Sequence, residues 1–298
     1  MRAFVRYNSR RDPGLLAQLP PEVFESLEII AGDLRDPSAG GESAHGMDII
    51  FHLGALIAIP YSYVHPREVI ETNIMGTLNI LQGGRAAGVD RIVHTSTSEV
   101  YGTARRVPID ETHPLQGQSP YSASKIAADK IAESFYCTYD LPVVTVRPFN
   151  TYGPRQSARA VIPTIITQAL AGGKIRLGNL DARRDFTYVS DTVAGFLRAG
   201  LVPGVEGRTF NLGSGQELTV RDLVEQVARI AGRPLELELD PQRLRPEKSE
   251  VMRLMSDNSQ ARAVLGWQPS VPLAAGLERT WQWIEAHPEF YASHGYQI

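Results

Sequence analysis

Two short segments hold the residue types that can do chemistry. His94-Thr95-Ser96-Thr97-Ser98-Glu99-Val100-Tyr101-Gly102 sets hydroxyls and one carboxylate at the end of an apolar run, and Tyr121-Ser122-Ala123-Ser124-Lys125 opens a helical pattern. A spacing of four places the Tyr121 phenol and the Lys125 ammonium on one helical face. A cation beside a phenol stabilises phenolate and lowers a pKa that starts near ~10. Tyr121 is therefore expected to act as general base, stripping a proton from an alcohol as hydride leaves carbon. Thr97 is placed to hold the same oxygen, and Glu99 to carry out a second proton transfer. The set reads as redox chemistry on a hydroxyl-bearing substrate. Tyr-x-x-x-Lys by itself also describes a surface pair on an amphipathic helix; the upstream Ser-Thr-Ser-Glu-x-Tyr-Gly makes the functional reading specific.

These groups need a scaffold, and the first half of the chain alternates apolar runs with amphipathic stretches, as a parallel sheet with crossover helices does. Strands are expected over Arg2–Tyr7, Leu27–Ala31, Asp48–Leu53, Arg91–Thr97 and Val143–Pro148, with helices over Arg67–Gly88 and Tyr121–Tyr139. Thr97 then lies at the carboxyl end of a parallel strand, where such sheets bind ligands. The second half is richer in Pro and Gly. Its helical stretches, Ile162–Ala171, Val220–Ala231 and Ala274–Ala286, suggest a smaller unit, with Phe186–Val189 and Thr209–Leu212 rejoining the first. Pro37–Gly46 is expected to be a solvent loop.

Composition narrows the function class. A net charge of -3 supplies no attraction for nucleic acid or an anionic membrane. No run approaches the ~18 apolar residues of a membrane span, and the start has no signal-peptide core. One cysteine, Cys137, excludes an internal disulfide and suits a reducing compartment, so a cytoplasmic location is expected; the thiol itself is expected to be buried. The seven histidines lack metal-ligand spacing, so no metal is expected.

Taken together, these motifs resemble an extended short-chain dehydrogenase/reductase, specifically a sugar-nucleotide 4,6-dehydratase, close to the branch acting on nucleoside-diphosphate N-acetylglucosamine or mannose. The resemblance spans nearly the whole chain. It implies an α/β fold, a Rossmann-like doubly wound parallel sheet over residues 1–153 (with 185–213 rejoining it), and a smaller α+β substrate domain over 154–298. It also implies a homodimer through the Arg67–Gly88 and Tyr121–Tyr139 helices, and NAD or NADP as cofactor.

Residue by residue, Gly32-Asp33-Leu34 resembles the turn that meets the adenine, although Asp33 also suits a helix N-cap. Leu53, Gly54 and Ala55 resemble the run that lets the cofactor ribose approach the backbone. Asn73 resembles the amide that braces the active-site strand. Asn8 lies where the family meets the adenosine ribose; the neighbouring Arg10 and Arg11 suit a 2'-phosphate or a solvated turn equally, leaving NAD and NADP open. Arg147-Pro148-Phe149-Asn150-Thr151-Tyr152-Gly153-Pro154 matches the family's Arg-Pro-x-Asn-x-Tyr-Gly-Pro, and implies that Asn150 bonds a sugar diphosphate. Arg184 and Arg245 carry forks suited to a diphosphate, with ion pairs to Asp185 and Glu247 as the structural alternative. Asn211-Leu212-Gly213 reads as a strand end, and Leu265-Gly266-Trp267 as packing.

By the same resemblance, Thr97, Ser98, Glu99, Tyr121 and Lys125 form the catalytic set, with Ser98 acting through water or by orienting Glu99. Tyr121 and Lys125 also meet the cofactor. The family's Gly-x-x-Gly-x-x-Gly loop, which binds the cofactor pyrophosphate at a helix amino end, finds no counterpart; Gly83-Gly84 and Gly213-Ser214-Gly215 do not open a helix after a first strand. A first βα unit is expected to be missing, leaving two apolar strand edges without a partner. Nicotinamide dinucleotide binding by the 298-residue chain is accordingly expected to be poor. Two alternatives remain: a sugar-nucleotide 4-epimerase, which needs no base for C5, and a catalytically inactive remnant.

Overall fold

The computed structural model describes residues 1–291; the last residues of the expected substrate domain, 292–298, lie outside the described residues. The first half runs β1 (Arg2–Arg6), α1 (Pro21–Glu25), β2 (Glu28–Gly32), α2 (Pro37–Ala44), β3 (Ile49–His52), α3 (Ile59–Val64), α4 (Pro66–Ile70), α5 (Gly76–Ala87), β4 (Arg91–Thr95), α6 (Pro120–Tyr139), β5 (Val143–Pro148) and β6 (Asn150–Tyr152). The second half adds α7 (Val161–Leu170), β7 (Ile175–Leu177), β8 (Arg183–Arg184), β9 (Phe186–Tyr188), α8 (Val189–Leu201), β10 (Thr209–Leu212), β11 (Leu218–Thr219), α9 (Val220–Ala231), β12 (Leu237–Leu239) and α10 (Leu273–Ala286).

The main sheet has the order β10-β5-β4-β3, all parallel. Its strands are apolar on both faces because both are covered. Along β4, Ile92 joins Leu81, Ala132 and Phe135 on the α5–α6 side, whereas the next residue, Val93, joins Phe196, Ala199 and Phe210 on the α8 side. This alternation is the period of two that a strand imposes. It makes the sheet doubly wound. β1 and β2 form a separate parallel ribbon, so β1 and β3 each keep one edge without a strand partner among the described residues.

Of the two segments expected to rejoin the first unit, Thr209–Leu212 pairs with β5 in the main sheet, and Phe186–Tyr188 pairs with β6, outside that sheet but within residues 1–153. The second core is built by α7, α9 and α10 around Ile162, Ile166, Leu223, Val227, Leu277 and Ile284.

Three expectations are corrected. Pro37–Gly46 is not a solvent loop: Pro37–Ala44 is a helix started by Pro37 and capped by Asp36, whose side chain accepts from the Ser38 amide at 2.9 Å. Its small residues let its backbone meet α5, since a Cβ added at Gly83 would lie 2.7 Å from the Gly40 carbonyl oxygen. Cys137 is exposed rather than buried; on α6 it points away from the stripe Ala128, Ala132 and Phe135 that faces the core. The expected single helix Arg67–Gly88 is one rod interrupted by a π-helical turn at Glu71–Met75.

The α2–α5 contact has a direct test. Gly83→Ala should destabilise the protein by about 1–3 kcal/mol, the usual cost of overpacking against an unyielding backbone. Urea unfolding with an unchanged midpoint would show that α2 is free to move.

Candidate active site

Because β1 to β5 are parallel within their ladders, the residues that follow them emerge at carboxyl ends, and the expected site residues are distributed there. After β4, Thr97 caps a 3-10 turn over Ser98–Tyr101, its hydroxyl accepting from the Glu99 amide at 3.2 Å. Ser98 is buried beneath this turn. Helix α6 is opened by Ser119 and Ser122 in a reciprocal capping box with Pro120 at the first turn, which fixes where Tyr121 begins. Tyr121 and Lys125 are both buried.

Thr97 lies close enough to the Tyr121 hydroxyl to favour its ionised form, so the two residues expected to share an oxygen come together in the structure. The expected lowering of the phenol pKa is corrected. Burial pushes Tyr121 up from its ordinary value, and the nearby Thr97 only partly offsets it. Lys125 moves the other way: burial brings its ammonium down to about 8, opposed by the charge of Asp129. Glu99 lies close enough to Tyr121, Arg184 and Tyr63 that its charge bears on all of them.

Asn73 sits in the π-helical turn, a feature common at functional sites. Its amide does not brace the β4 strand as expected. It clamps the loop after β3, accepting from the Leu56 amide at 2.8 Å and donating to the Leu56 carbonyl at 3.0 Å, and it donates to Ser124 of α6 at 2.9 Å. The adenine-side residues are also brought together. A Cβ on Gly54 would lie 2.7 Å from Leu34 Cδ1, so the Asp33-Leu34 turn and the Leu53-Gly54-Ala55 run touch. Asp33 is not a helix cap, since that place belongs to Asp36. Its carboxylate pairs with Arg35 at 2.6 Å, and that hydrogen bond holds it down at about 2. Asn8 closes its own loop, accepting from the Arg10 and Asp12 amides at 3.1 and 3.0 Å.

The substrate-side residues converge on one cleft. Asn150, Arg184 and Arg245 line a cavity of about 360 Å³ together with Ile57, Ala58 and Arg159. The structural alternatives named for the two arginines are replaced: both meet Glu250, Arg184 at 3.3 Å and Arg245 at 3.7 Å. Asp185 instead accepts from the Ser214, Gly215 and Ser256 amides at 2.7 to 3.0 Å. Across the cleft mouth, the Tyr63 hydroxyl of α3 meets Ser249 at 2.7 Å. A larger cavity of about 550 Å³, between α6 and residues 111–115, contains none of the expected site residues.

Sequence reading did not single out Asp129 or Glu250 for a part in the site. Asp129 carried a legible signal, since it repeats the spacing of four from Tyr121 through Lys125. Among the described residues no group of three or more His, Cys, Asp or Glu side chains could hold a metal ion, and no helix is long and apolar enough to cross a membrane.

Comparison with known proteins places this geometry. The family profile for GDP-mannose 4,6-dehydratase matches residues 2–280. The chain is 36% identical over 265 residues to a UDP-glucose 4-epimerase of Mycolicibacterium smegmatis, covering 87% of this chain and 83% of the relative. A crystal structure of dTDP-glucose 4,6-dehydratase from Streptomyces venezuelae, bound to NAD, superposes with a TM-score of 0.80 at 33% identity, covering 89% of this chain and 82% of that one. The NADPH complex of the RMD protein from Pseudomonas aeruginosa gives 0.78 at 29%, covering 88% and 91%. The chain belongs to the GDP-mannose 4,6-dehydratase family, on an extended short-chain dehydrogenase/reductase fold.

Proposed function

We propose that this protein dehydrates a nucleoside-diphosphate sugar to its 4-keto-6-deoxy form with NAD or NADP. The observation that carries the reading is that Glu99, two residues after Thr97, is close enough to both the Tyr121 phenol and Arg184 of the cleft for its charge to bear on each. In this reading residues 1–153, with 185–213, serve the cofactor and 154–298 the substrate.

The cofactor edge offers groups to the adenosine and nicotinamide ends of a dinucleotide, while the sequence holds no glycine loop for its pyrophosphate, so weak binding is expected. Leu53 is 62% exposed, Asp33 lies at the adjoining turn, and Lys125 is buried on the α6 side. Asn8, Asp33, Leu34, Leu53, Gly54 and Ala55 would line it, Asn73 would hold the β3 loop in place, and Tyr121 and Lys125 would flank the reacting end. Bound there, the nicotinamide would accept hydride from sugar C4 and return it to C6. Thr97 holds O4, and Tyr121 takes its proton once the phenol is ionised, a step that burial opposes in the free protein and that the Lys125 ammonium and a positively charged oxidised nicotinamide beside it would favour. The resulting ketone acidifies C5, and Glu99 removes that hydrogen. A proton passed to the departing C6 hydroxyl releases it as water, and a solvent proton closes C5 as C6 is reduced. Ser98, buried under the turn, orients Glu99. Arg184 and Arg245, which meet the same Glu250 carboxylate, carry permanent charges for a diphosphate, with Asn150 lining the same cavity.

The 36% identity to an epimerase supports a second reading, 4-epimerisation, in which Glu99 has no chemical part. Glu99→Gln separates the two. It should retain hydride exchange with the cofactor while losing most elimination, about 10²–10⁴-fold for one general base, whereas Tyr121→Phe should lose both. Formation of 4-keto-6-deoxy product by Glu99→Gln at the parent rate would sink the dehydratase reading.

Ligand binding gives a check independent of turnover. Arg184→Ala and Arg245→Ala should each weaken nucleoside diphosphate binding about 10- to 100-fold by calorimetry, the scale of a lost charged hydrogen bond. Unchanged affinity in both would move the diphosphate elsewhere.

The same reading includes a homodimer in the cytoplasm, with no nucleic-acid or membrane partner. Ile70 and Met75, 43% and 46% exposed on the α4–α5 rod, and Tyr136 and Tyr139 on α6 present apolar surface where the family pairs its helices. Light scattering at high micromolar concentration should give twice the 32.8 kDa chain mass; a monomer would contradict the pairing.

A further inference from the structure

Beneath Lys125 lies a charged cluster that the reaction steps do not use. Asp129 follows Lys125 by one helical turn and is 3% exposed. Its carboxylate accepts from His94 Nε2 at 3.1 Å, Ser96 Oγ at 2.8 Å, and Arg147 Nε and Nη2 at 3.2 and 3.0 Å. His94 and Ser96 are two residues apart, so they project from the same face of the chain. Arg147 continues to Tyr101, donating to its hydroxyl at 3.0 Å, and Tyr101 donates to Asn211 at 2.7 Å.

We propose that Asp129 is a positioning residue that locks the Tyr121–Lys125 face of α6 onto β4 and β5 and serves as the fixed counter-charge of Lys125. The inference rests on the reading of Tyr121 and Lys125 as the proton-transfer pair. One carboxylate binds the three elements that deliver the site: β4 leads into Thr97 and Glu99, β5 into Asn150, and α6 carries the phenol and ammonium. A neutral amide of the same shape could accept from His94 and Arg147, but it would leave Lys125 facing only neutral and positive neighbours.

The charges support this. Burial pushes the Asp129 carboxyl up, yet the bond from His94 and the Arg147 guanidinium outweigh it and hold the group below its ordinary value. His94 is held neutral by burial. A carboxylate can only accept, so the His94 Nε2 carries the proton. The groups facing Asp129 are His94 and Ser96 beside it, Arg147 from β5, and Lys125 and Tyr121 on its own helix. Behind them lie His52, whose ring is 5.9 Å from that of His94, and Tyr101, which packs on Arg147. Of these the cations are Arg147, paired with Asp129 at 3.0 Å, and Lys125, which lies one helical turn away without a direct ion pair and feels the same carboxylate through its charge.

The test follows titration by carbon NMR in protein labelled at Lys Cε and Asp Cγ, without substrate or cofactor. In the parent protein, Asp129 Cγ should remain a carboxylate from pH 5 to 9 and should register the deprotonation of Lys125 as a second inflection. An Asp129 signal flat through that transition would overturn the proposal. Asp129→Asn should lower the proton affinity of Lys125 at least tenfold, about one pKa unit. Ser96→Ala, which removes a bond from the same cluster but no charge, should leave it unchanged. Equal shifts in the two variants, or none in Asp129→Asn, would reduce Asp129 to packing. These readouts need no turnover, so an inactive enzyme would count against the dehydratase reading alone.

Discussion

Every ladder of the main sheet is parallel, and that single constraint organises the rest of the molecule. Parallel strands need crossovers, and the crossovers cover both faces, which is why Ile92 and Val93 enter different cores from adjacent positions. They also bring consecutive strands out at one edge. Thr97 and Asn150 are far apart in the chain and yet emerge from neighbouring strands. The residues proposed for catalysis and substrate binding are gathered by direction rather than by proximity in sequence.

That gathering concentrates ionisable groups where water is scarce, and the structure answers with shared counter-charges. Asp129 serves His94 and Arg147 from different strands. Glu250 lies between Arg184 and Arg245. Burial lowers Arg184 from its ordinary value even so. Under the proposed function, an incoming diphosphate would compete with Glu250 for both guanidinium groups.

Much of this was legible in the sequence where chemistry and secondary-structure period coincide. Tyr121 and Lys125 show their common face by spacing alone, and Thr97 shows its strand end by the apolar run before it. Val143–Pro148 and Val220–Ala231 are bounded by Pro and Gly signals and match the observed elements. The failures have a common physical cause, which is contact made by distant residues. Pro37–Ala44 reads as a loop because glycine is a poor helix former, and only the facing Gly40–Gly83 approach makes it an asset. The phenol of Tyr121 was expected to fall because its cation is visible in sequence and its burial is not. Asn73 was recognisable as an amide of importance, but its partners Leu56 and Ser124 are set by tertiary packing.

The π-helical turn around Asn73 shows what such packing costs and secures. A π turn holds one more residue than an α turn, with looser backbone geometry. Deleting a single residue from Glu71–Met75 would restore an ordinary helix and improve its local hydrogen bonding. Rewinding all the same residues as an uninterrupted α-helix, by contrast, would rotate one half of the rod by about 100° relative to the other. Asn73 would then lose either Leu56 or Ser124, or α5 would lose its seat against α2 and β3. The irregularity therefore acts as a phase shifter. It allows one helix to obey two incompatible angular demands, one from the sheet and one from the loop at its end.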